Sequence, residues 1–373
     1  MSMTTTEIGT LVVGGGFAIA FVFGLVAAKA NFCTMGALSD IVNMGHWGRM
    51  RMWLLAIAVA IVGTTLLSYM GWVDLAKSVQ QRPVLPWLSL GVGGLLFGVG
   101  MTLAGGCTNK NLLRAGGGSV RSLVVLTFVA IAAYMTLKGL FGQWRATLLD
   151  PVSLNLGERG WADLSLGTAV AKLTGLDPKI ALLATAGVVV LALLAFVFKD
   201  KRFRANPVQI LGGLVLGALV AVAWYLTGHL GFGENPDTLE TVYFATNTHT
   251  LESLSFVAPM AFSLEMLMLW TDASLHMTFG IASVLGVVAG SAVYALVSKT
   301  FRWEGFASLV DLRNQLVGAV LMGFGGVTAL GCTIGQGLSG LSTLSMGSFI
   351  AITAIVIGSV GTLKYILWKS EQD

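Results

Sequence analysis

Long runs of apolar residues alternate with shorter polar stretches along the chain, and this pattern predicts a bundle of membrane-spanning helices. A helical run of about 20 apolar residues is long enough to cross the ~30 Å hydrocarbon layer of a bilayer. There are about nine such runs, at residues 9–28, 52–71, 87–106, 119–140, 180–198, 208–228, 276–297, 314–331 and 347–368. The predicted fold class is therefore an all-α polytopic membrane protein.

Four shorter segments are too short, or too rich in glycine and polar residues, to span a membrane in the ordinary way. They are residues 31–45, 107–118, 253–270 and 332–345. Non-helical backbone survives at membrane depth only where it packs inside protein or lines a cavity, so we expect re-entrant or broken half-helices there. Two more polar stretches, 141–179 and 229–250, are predicted to be extramembrane loops.

Lysine and arginine residues between the spans predict the orientation. The densest basic cluster, Lys199–Arg204, is expected on the cytoplasmic side, because cytoplasmic loops carry the excess of Lys and Arg. The stretch from His229 to Glu252 contains acidic residues but no Lys or Arg, so it is expected outside. This orientation places the N-terminus outside and the C-terminus inside.

The composition excludes other classes of protein. Hydrophobic residues make up 55% of the chain and charged residues 11%, and the mean hydropathy is +0.82. A soluble domain carries roughly 25% charged residues, so a soluble globular protein, a nucleic-acid binder and a disordered chain are all excluded. The N-terminal residues lack a basic stretch, and no cleavable signal peptide is expected.

An internal repeat relates two of the spans. Residues 93–108 read GGLLFGVGMTLAGGCT and residues 318–333 read GAVLMGFGGVTALGCT, at a constant offset of 225 residues. The predicted orientation runs them in opposite directions, which makes an inverted repeat. The predicted halves are 1–140 and 208–373, with an insert and a connecting helix at 141–207. Inverted repeats place a substrate site near the midplane, between discontinuous helices.

The candidate site residues lie where long spans change into short segments. They are the pairs Cys33–Thr34, Cys107–Thr108 and Cys332–Thr333, with Gly106 and Gly331 before two of the cysteines. The glycines are expected to let the backbone turn and approach a ligand. The free N–H groups at the start of a half-helix favour an anion, and the threonines are expected to cap these starts or to offer a hydroxyl. The alternative is that the cysteines are only small buried hydrophobic residues.

Several kinds of ligand are compatible with these cysteines. Thiolates and methionine bind Cu(I), but the 15 methionines are scattered and the three cysteines form no Cys-x-x-Cys motif. The nearest charges, Lys110 and Arg114, are positive, which suits an anion or merely marks the cytoplasmic face. A neutral thiol can donate a weak S–H hydrogen bond to a soft sulfur anion. No resident metal or cofactor is expected.

Other polar residues have two interpretations each. Asn109 and Gln336, close to the repeat cysteines, either line a passage or cap a helix. Glu265 either carries a coupling proton, since intramembrane acids are functional candidates, or lies at the interface.

Two groups of residues lie towards the ends of the spans. Asp40 is expected to cap a helix or to pair with Arg49 or Arg51. An aromatic belt at the membrane interfaces is predicted from Trp53, Trp72, Trp87, Trp270, Trp303 and Trp368.

Three motifs resemble the YeeE/YedE sulphur-transport family over nearly the whole chain. They are Phe32-Cys33-Thr34-Met35-Gly36, Gly-Gly-Cys107-Thr-Asn-Lys and Gly331-Cys332-Thr333-Ile-Gly-Gln-Gly. The resemblance implies thiosulfate uptake rather than enzyme activity, in a multi-pass protein of the bacterial inner membrane with an hourglass-like helical fold. It also implies that Cys33, Cys107 and Cys332 relay thiosulfate through S–H···S contacts, and that a small TusA-like sulfur-carrier protein acts at the cytoplasmic side.

Three other functions remain open at this stage. The first is a membrane sulfurtransferase or redox protein that forms persulfides on the cysteines. The others are transporters of selenium compounds or of soft metals.

Overall fold

The computed structural model describes residues 5–234, 240–306 and 308–372 and confirms the all-α membrane fold. Within these residues there are 15 helices. They are α1 (Thr5–Ala30), α2 (Thr34–Met44), α3 (Gly48–Tyr69), α4 (Trp87–Leu103), α5 (Thr108–Gly116), α6 (Val120–Lys138), α7 (Leu140–Trp144), α8 (Leu166–Thr174), α9 (Pro178–Phe198), α10 (Lys201–Arg204), α11 (Pro207–Tyr225), α12 (Val257–Met268), α13 (Phe279–Val297), α14 (Leu309–Thr328) and α15 (Met346–Ser370).

Eight helical spans in the described part of the chain are long and apolar enough to cross a membrane, and they match eight of the predicted runs. The remaining run corresponds to α14, a 20-residue helix. Its first two turns contain Asp311, Arg313 and Gln315, which lower its hydropathy. Because α14 packs along α4 and against α6, it completes the helical bundle.

The four predicted short segments contain short helical pieces. Three of them are α2, α5 and α12, with 11, 9 and 12 residues. The fourth, after Cys332, contains a π-helical stretch at Gly335–Gly340. A helix of 9 to 12 residues is only about 14 to 18 Å long, roughly half the hydrocarbon thickness. These pieces therefore serve as half-helices within the bundle.

Helices α4 and α14 contact each other through glycines that obey the 225-residue offset. A Cβ atom on Gly318 would lie 2.6 Å from the carbonyl oxygen of Gly100, and a Cβ atom on Gly100 would lie 2.6 Å from that of Gly318. Gly93 and Gly325 are related in the same way, at 2.9 and 2.5 Å. The 225-residue offset relates Gly93 to Gly318 and Gly100 to Gly325, so the two contacts are equivalent to each other. A two-fold axis between two helices produces this relation. The division of the whole chain into two halves stays a prediction.

The polar stretches predicted as plain loops contain further structure. The 141–179 stretch contains α7, α8 and the strand β2 (Leu154–Asn155), which pairs antiparallel with β1 (Val84–Leu85). Helix α8 forms because Ser165 caps it by accepting a hydrogen bond from the backbone N–H of Thr168, at 3.1 Å. In the 229–250 stretch, β3 (Phe232–Glu234) pairs with β4 (Thr241–Tyr243), and residues 235–239 lie outside the described part.

Two segments between the long helices form hydrogen bonds with the residues that follow Cys332. The backbone N–H of Met346 donates to the carbonyl of Leu164 at 2.9 Å. From the loop before α4, the Gln81 side-chain amide donates to the carbonyl of Thr343 at 2.7 Å. Hydrogen bonds to the backbone at Thr343 and Met346 thereby hold the residues after the third cysteine on that side of the bundle.

The aromatic-belt prediction is wrong for Trp53. The other five tryptophans of the predicted belt are between 44% and 76% exposed, whereas Trp53 is 6% exposed. Trp53 lies one turn after Arg49 on α3. Because that face packs against α2 and the π-helical stretch, the indole is buried inside the protein.

Candidate functional site

The three cysteines are free thiols buried at the starts of the short segments. Cys33, Cys107 and Cys332 are 5%, 1% and 0% exposed. The Cys33 thiol accepts a hydrogen bond from the N–H of Gly36 at 3.3 Å, and the Cys332 thiol accepts one from the N–H of Gly335 at 3.5 Å. The first and third of these segments therefore begin with a cysteine that is hydrogen-bonded to the first turn, whereas Cys107 makes no such side-chain bond.

Of the two roles expected for the threonines, helix capping is wrong for Thr34 and Thr108. The capping positions of α2 and α5 are occupied by Cys33 and Cys107, both in extended backbone conformations. Thr34 and Thr108 come one residue later, as the first helical residues. Since a cap needs the extended conformation, the threonine side chains are left available for another role.

Cys107 lies between the other two cysteine segments. Its thiol interacts with the Cys33 thiol and also with the side chain of Thr333, the residue next to Cys332. The fold thus brings together three segments that are far apart in sequence. The sequence motifs did not reveal that the Cys107 segment lies between the other two.

Several buried polar atoms without a hydrogen-bond partner lie beside the cysteines in the sequence. The hydroxyl oxygens of Thr34, Thr108 and Thr333 have no partner of regular geometry, nor have the amide oxygen and nitrogen of Asn109. All four side chains are at most 2% exposed. Leaving a buried polar group unpaired costs about 1–3 kcal/mol. The arrangement is therefore suited to a ligand that supplies the missing partners.

The turns before the repeat cysteines contain positive-φ residues at the same offset of 225, Gly105 (φ +67°) and Leu330 (φ +56°). The predicted Gly331 also has a positive φ, +157°, whereas Gly106 does not, so the prediction of a turn at the glycine holds for Gly331 and is wrong by one residue for Gly106. Gly106 and Gly331 also allow close packing. A Cβ atom on either one would lie 3.1 Å from the Cγ of the side chain four or five residues later, Lys110 or Gln336.

Two buried amides stabilise these turns. Gln336 donates to the carbonyl of Ala329 at 2.6 Å and accepts from the hydroxyl of Ser348 at 2.5 Å. The residue at the equivalent repeat position, Asn111, donates to the carbonyls of Gly106 and Cys107 at 3.0 and 3.2 Å. Sequence reasoning missed Asn111, although the 225-residue offset from Gln336 pointed to it.

Basic side chains lie on one side of this site. Lys110 donates to the amide oxygen of Asn31 at 2.6 Å, and Arg114 donates to the carbonyl of Gly105 at 2.9 Å. Within the described residues, no three His, Cys, Asp or Glu side chains come together as a metal site.

Asp40 and Glu265 occupy equivalent positions at the 225-residue offset, and each forms an ion pair, although the offset does not relate their basic partners. Asp40 pairs with Arg49, one of the two predicted arginines, and is 6% exposed. Glu265 is also 6% exposed; it accepts from Lys138 at 2.5 Å and from the Tyr134 hydroxyl at 3.4 Å. The acids lie on the short helices α2 and α12, each paired with a base on a long helix.

Comparisons with known proteins agree with this architecture. A family model described as sulphur transport matches residues 29–361. A thiosulfate transporter, TsuA of Spirochaeta thermophila, is 24% identical over 357 residues, which are 95% of this chain and 98% of that protein. The thiosulfate transporter TsuA of Escherichia coli is 26% identical over 361 residues, 94% of this chain and 93% of that protein.

A shorter similarity involves another transporter. The probable transporter YedE of Escherichia coli is 31% identical over 100 residues, 26% of this chain and 23% of that protein. The family model covers nearly the whole chain and agrees with the cysteine motifs and the helical membrane fold. The chain therefore belongs to the sulphur-transport family.

Proposed function

We propose that the protein takes up thiosulfate, or a closely related sulfur oxyanion, across a bacterial inner membrane. The observation that carries the proposal is that three buried cysteines are each followed by a buried threonine whose hydroxyl has no hydrogen-bond partner. The two relatives named thiosulfate transporters, which align over almost their whole lengths, support the same substrate. The protein acts as a transporter rather than an enzyme.

The site offers two kinds of recognition to a thiosulfate ion. Its terminal sulfur is soft and accepts weak S–H hydrogen bonds from Cys33, Cys107 and Cys332 in turn. Its three oxygens accept hydrogen bonds from the Thr34, Thr108 and Thr333 hydroxyls and the Asn109 amide, and from the free N–H groups of the half-helices. Weak successive contacts favour passage over trapping.

The cation cluster of Lys110 and Arg114 gives the path its direction. We place it on the cytoplasmic side, where it attracts the dianion inward past Cys107 and Cys33. Cys332 then belongs to the outer part of the path. A small TusA-like sulfur-carrier protein receives the sulfur compound at the cytoplasmic face.

Uptake of radiolabelled thiosulfate into liposomes tests this proposal. Single Cys33→Ala, Cys107→Ala and Cys332→Ala variants are expected to lose most of the uptake. The matched control is Ser283→Ala, because this buried hydroxyl donates only to the Phe279 carbonyl within its own helix. Wild-type rates in all three cysteine variants would refute the cysteine passage. No uptake by the wild-type protein would refute the substrate.

The contact between Cys33 and Cys107 favours one second candidate, persulfide formation. A Cys33 or Cys107 thiolate would attack the terminal sulfur of thiosulfate, form a new S–S bond and release sulfite. Mass spectrometry would then detect an adduct of about 32 Da, the added sulfur of a covalent intermediate. Uptake that proceeds without this adduct identifies the protein as a transporter alone.

A further inference from the structure

Trp53 has a buried indole N–H without a partner, which is unusual even within this protein. Its Nε1 atom makes no hydrogen bond, and the side chain is 6% exposed. Trp224, which is fully buried, donates its Nε1–H to the hydroxyl of Ser342 at 3.0 Å. Buried tryptophans usually find such a partner. Trp53 therefore carries a donor whose partner is absent from the folded chain.

The surroundings of Trp53 place it between two of the cysteine segments. A Cβ atom on Gly337, five residues after Cys332, would lie 2.7 Å from the Cζ2 atom of the Trp53 ring. Cζ2 is bonded to the ring carbon that carries Nε1, so the edge of the indole near the N–H faces the segment of the third cysteine.

The first cysteine lies on the same side of α3. Arg49, one turn before Trp53, shares its helix face because residues four apart are neighbours. The Arg49 side chain packs against Gly36 and pairs with Asp40 on the half-helix that Cys33 begins. The Trp53 indole is therefore located next to the path between the segments of Cys332 and Cys33.

We propose that Trp53 is a substrate-contacting residue whose indole N–H donates a hydrogen bond to an oxygen of the transported oxyanion. The inference rests on the proposed function and adds a specificity element to it. An indole N–H can only donate, so it suits a ligand atom that only accepts. The thiols contact the soft terminal sulfur, and Trp53 recognises the oxygen-bearing end.

The test compares two tryptophans in the full-length protein in liposomes. Each is replaced, one at a time, by β-(3-benzothienyl)alanine, which keeps the size of the ring but exchanges N–H for sulfur. A hydrogen bond to a charged group contributes about 1.5–3 kcal/mol, or roughly 10- to 150-fold in affinity. At position 53 we expect the KM for thiosulfate to rise at least about 10-fold. At position 224 we expect an unchanged KM and a lower thermal midpoint.

The outcomes separate this inference from the proposed function. Normal KM in a folded position-53 variant that still transports thiosulfate would overturn the role of Trp53 and leave thiosulfate uptake intact. No uptake by the wild-type protein would overturn the proposed function first. Trp53→Phe gives a second measurement, because loss of the N–H must weaken the thermal stabilisation by thiosulfate in the purified protein even if transport is slow.

Discussion

Replacing Gly318 by alanine should destabilise the protein by separating α4 from α14. The new Cβ atom would lie 2.6 Å from the carbonyl oxygen of Gly100 and 2.7 Å from the backbone nitrogen of Ala104. Both neighbours are backbone atoms, so no side-chain rotation relieves the contact. Ordinary van der Waals contact begins at about 3.4 Å, so the helices must move apart by about 0.8 Å.

Two opposing energies set the size of the effect. Alanine stabilises a helix by about 0.5–1 kcal/mol relative to glycine. Overpacking of a well-packed interface costs about 1–3 kcal/mol. The repeat symmetry adds a second consequence, because separation at Gly318–Gly100 also loosens the equivalent contact between Gly93 and Gly325. We therefore expect a net loss of about 1–2 kcal/mol and a lower rate of uptake.

The assay is thermal unfolding in detergent, with thiosulfate uptake measured on the same preparations. The matched control is Gly91→Ala on α4, where a Cβ atom would meet nothing within 4 Å. This control should unfold at the same or a slightly higher temperature, since only the helix-propensity gain remains. Equal midpoints for Gly318→Ala and Gly91→Ala would refute the reasoning that the glycines exist for close backbone contact.

Three further predictions concern buried polar side chains. Asp40→Asn should lower the free energy of unfolding by about 2–3 kcal/mol, less than for a fully buried ion pair because Arg49 is partly exposed. Chemical unfolding of this variant and of the double variant Asp40→Asn with Arg49→Gln measures the coupling between the two residues. Equal losses in the two variants would contradict that coupling. Asn111→Leu should cost about 1–3 kcal/mol by leaving the carbonyls of Gly106 and Cys107 unpaired, which differential scanning calorimetry against the exposed control Asn43→Leu would detect. Burial raises the pKa of Glu252 above its ordinary value, so the folded protein favours the neutral carboxyl. The stability of the protein should therefore fall as the pH rises from the ordinary pKa through the raised one. Glu252→Gln should flatten that part of the profile of thermal midpoint against pH.

The sequence predicted the spans well because their signal is local. A run such as residues 180–198 must be helical in a bilayer whatever surrounds it, since every backbone polar group needs a partner within the helix. The short segments were predictable for the opposite reason, since their length and glycine content exclude an ordinary span. The structure within the loops was harder to predict. Helix α8 depends on a cap by Ser165, and this single residue does not stand out in the polar composition of the insert.

The candidate site was predictable in its residues but not in its geometry. The Cys–Thr pairs were recognisable because they recur three times, but the motifs did not indicate that Cys107 lies between Cys33 and Thr333. The cap assignment failed because a cysteine thiol can occupy the position that usually belongs to threonine.

Trp53 shows why the remainder of the site needs three dimensions. Near the start of an apolar span, a tryptophan has the signature of an interfacial anchor, and the other five tryptophans of the predicted belt are exposed. What distinguishes Trp53 is the half-helix of Cys33 and the segment around Gly337, which pack over its face from distant parts of the chain. A buried, unpartnered N–H depends on those tertiary contacts, so no local pattern of residues encodes it. The same is true of the Glu265 ion pair, whose partner Lys138 lies 127 residues away on α6.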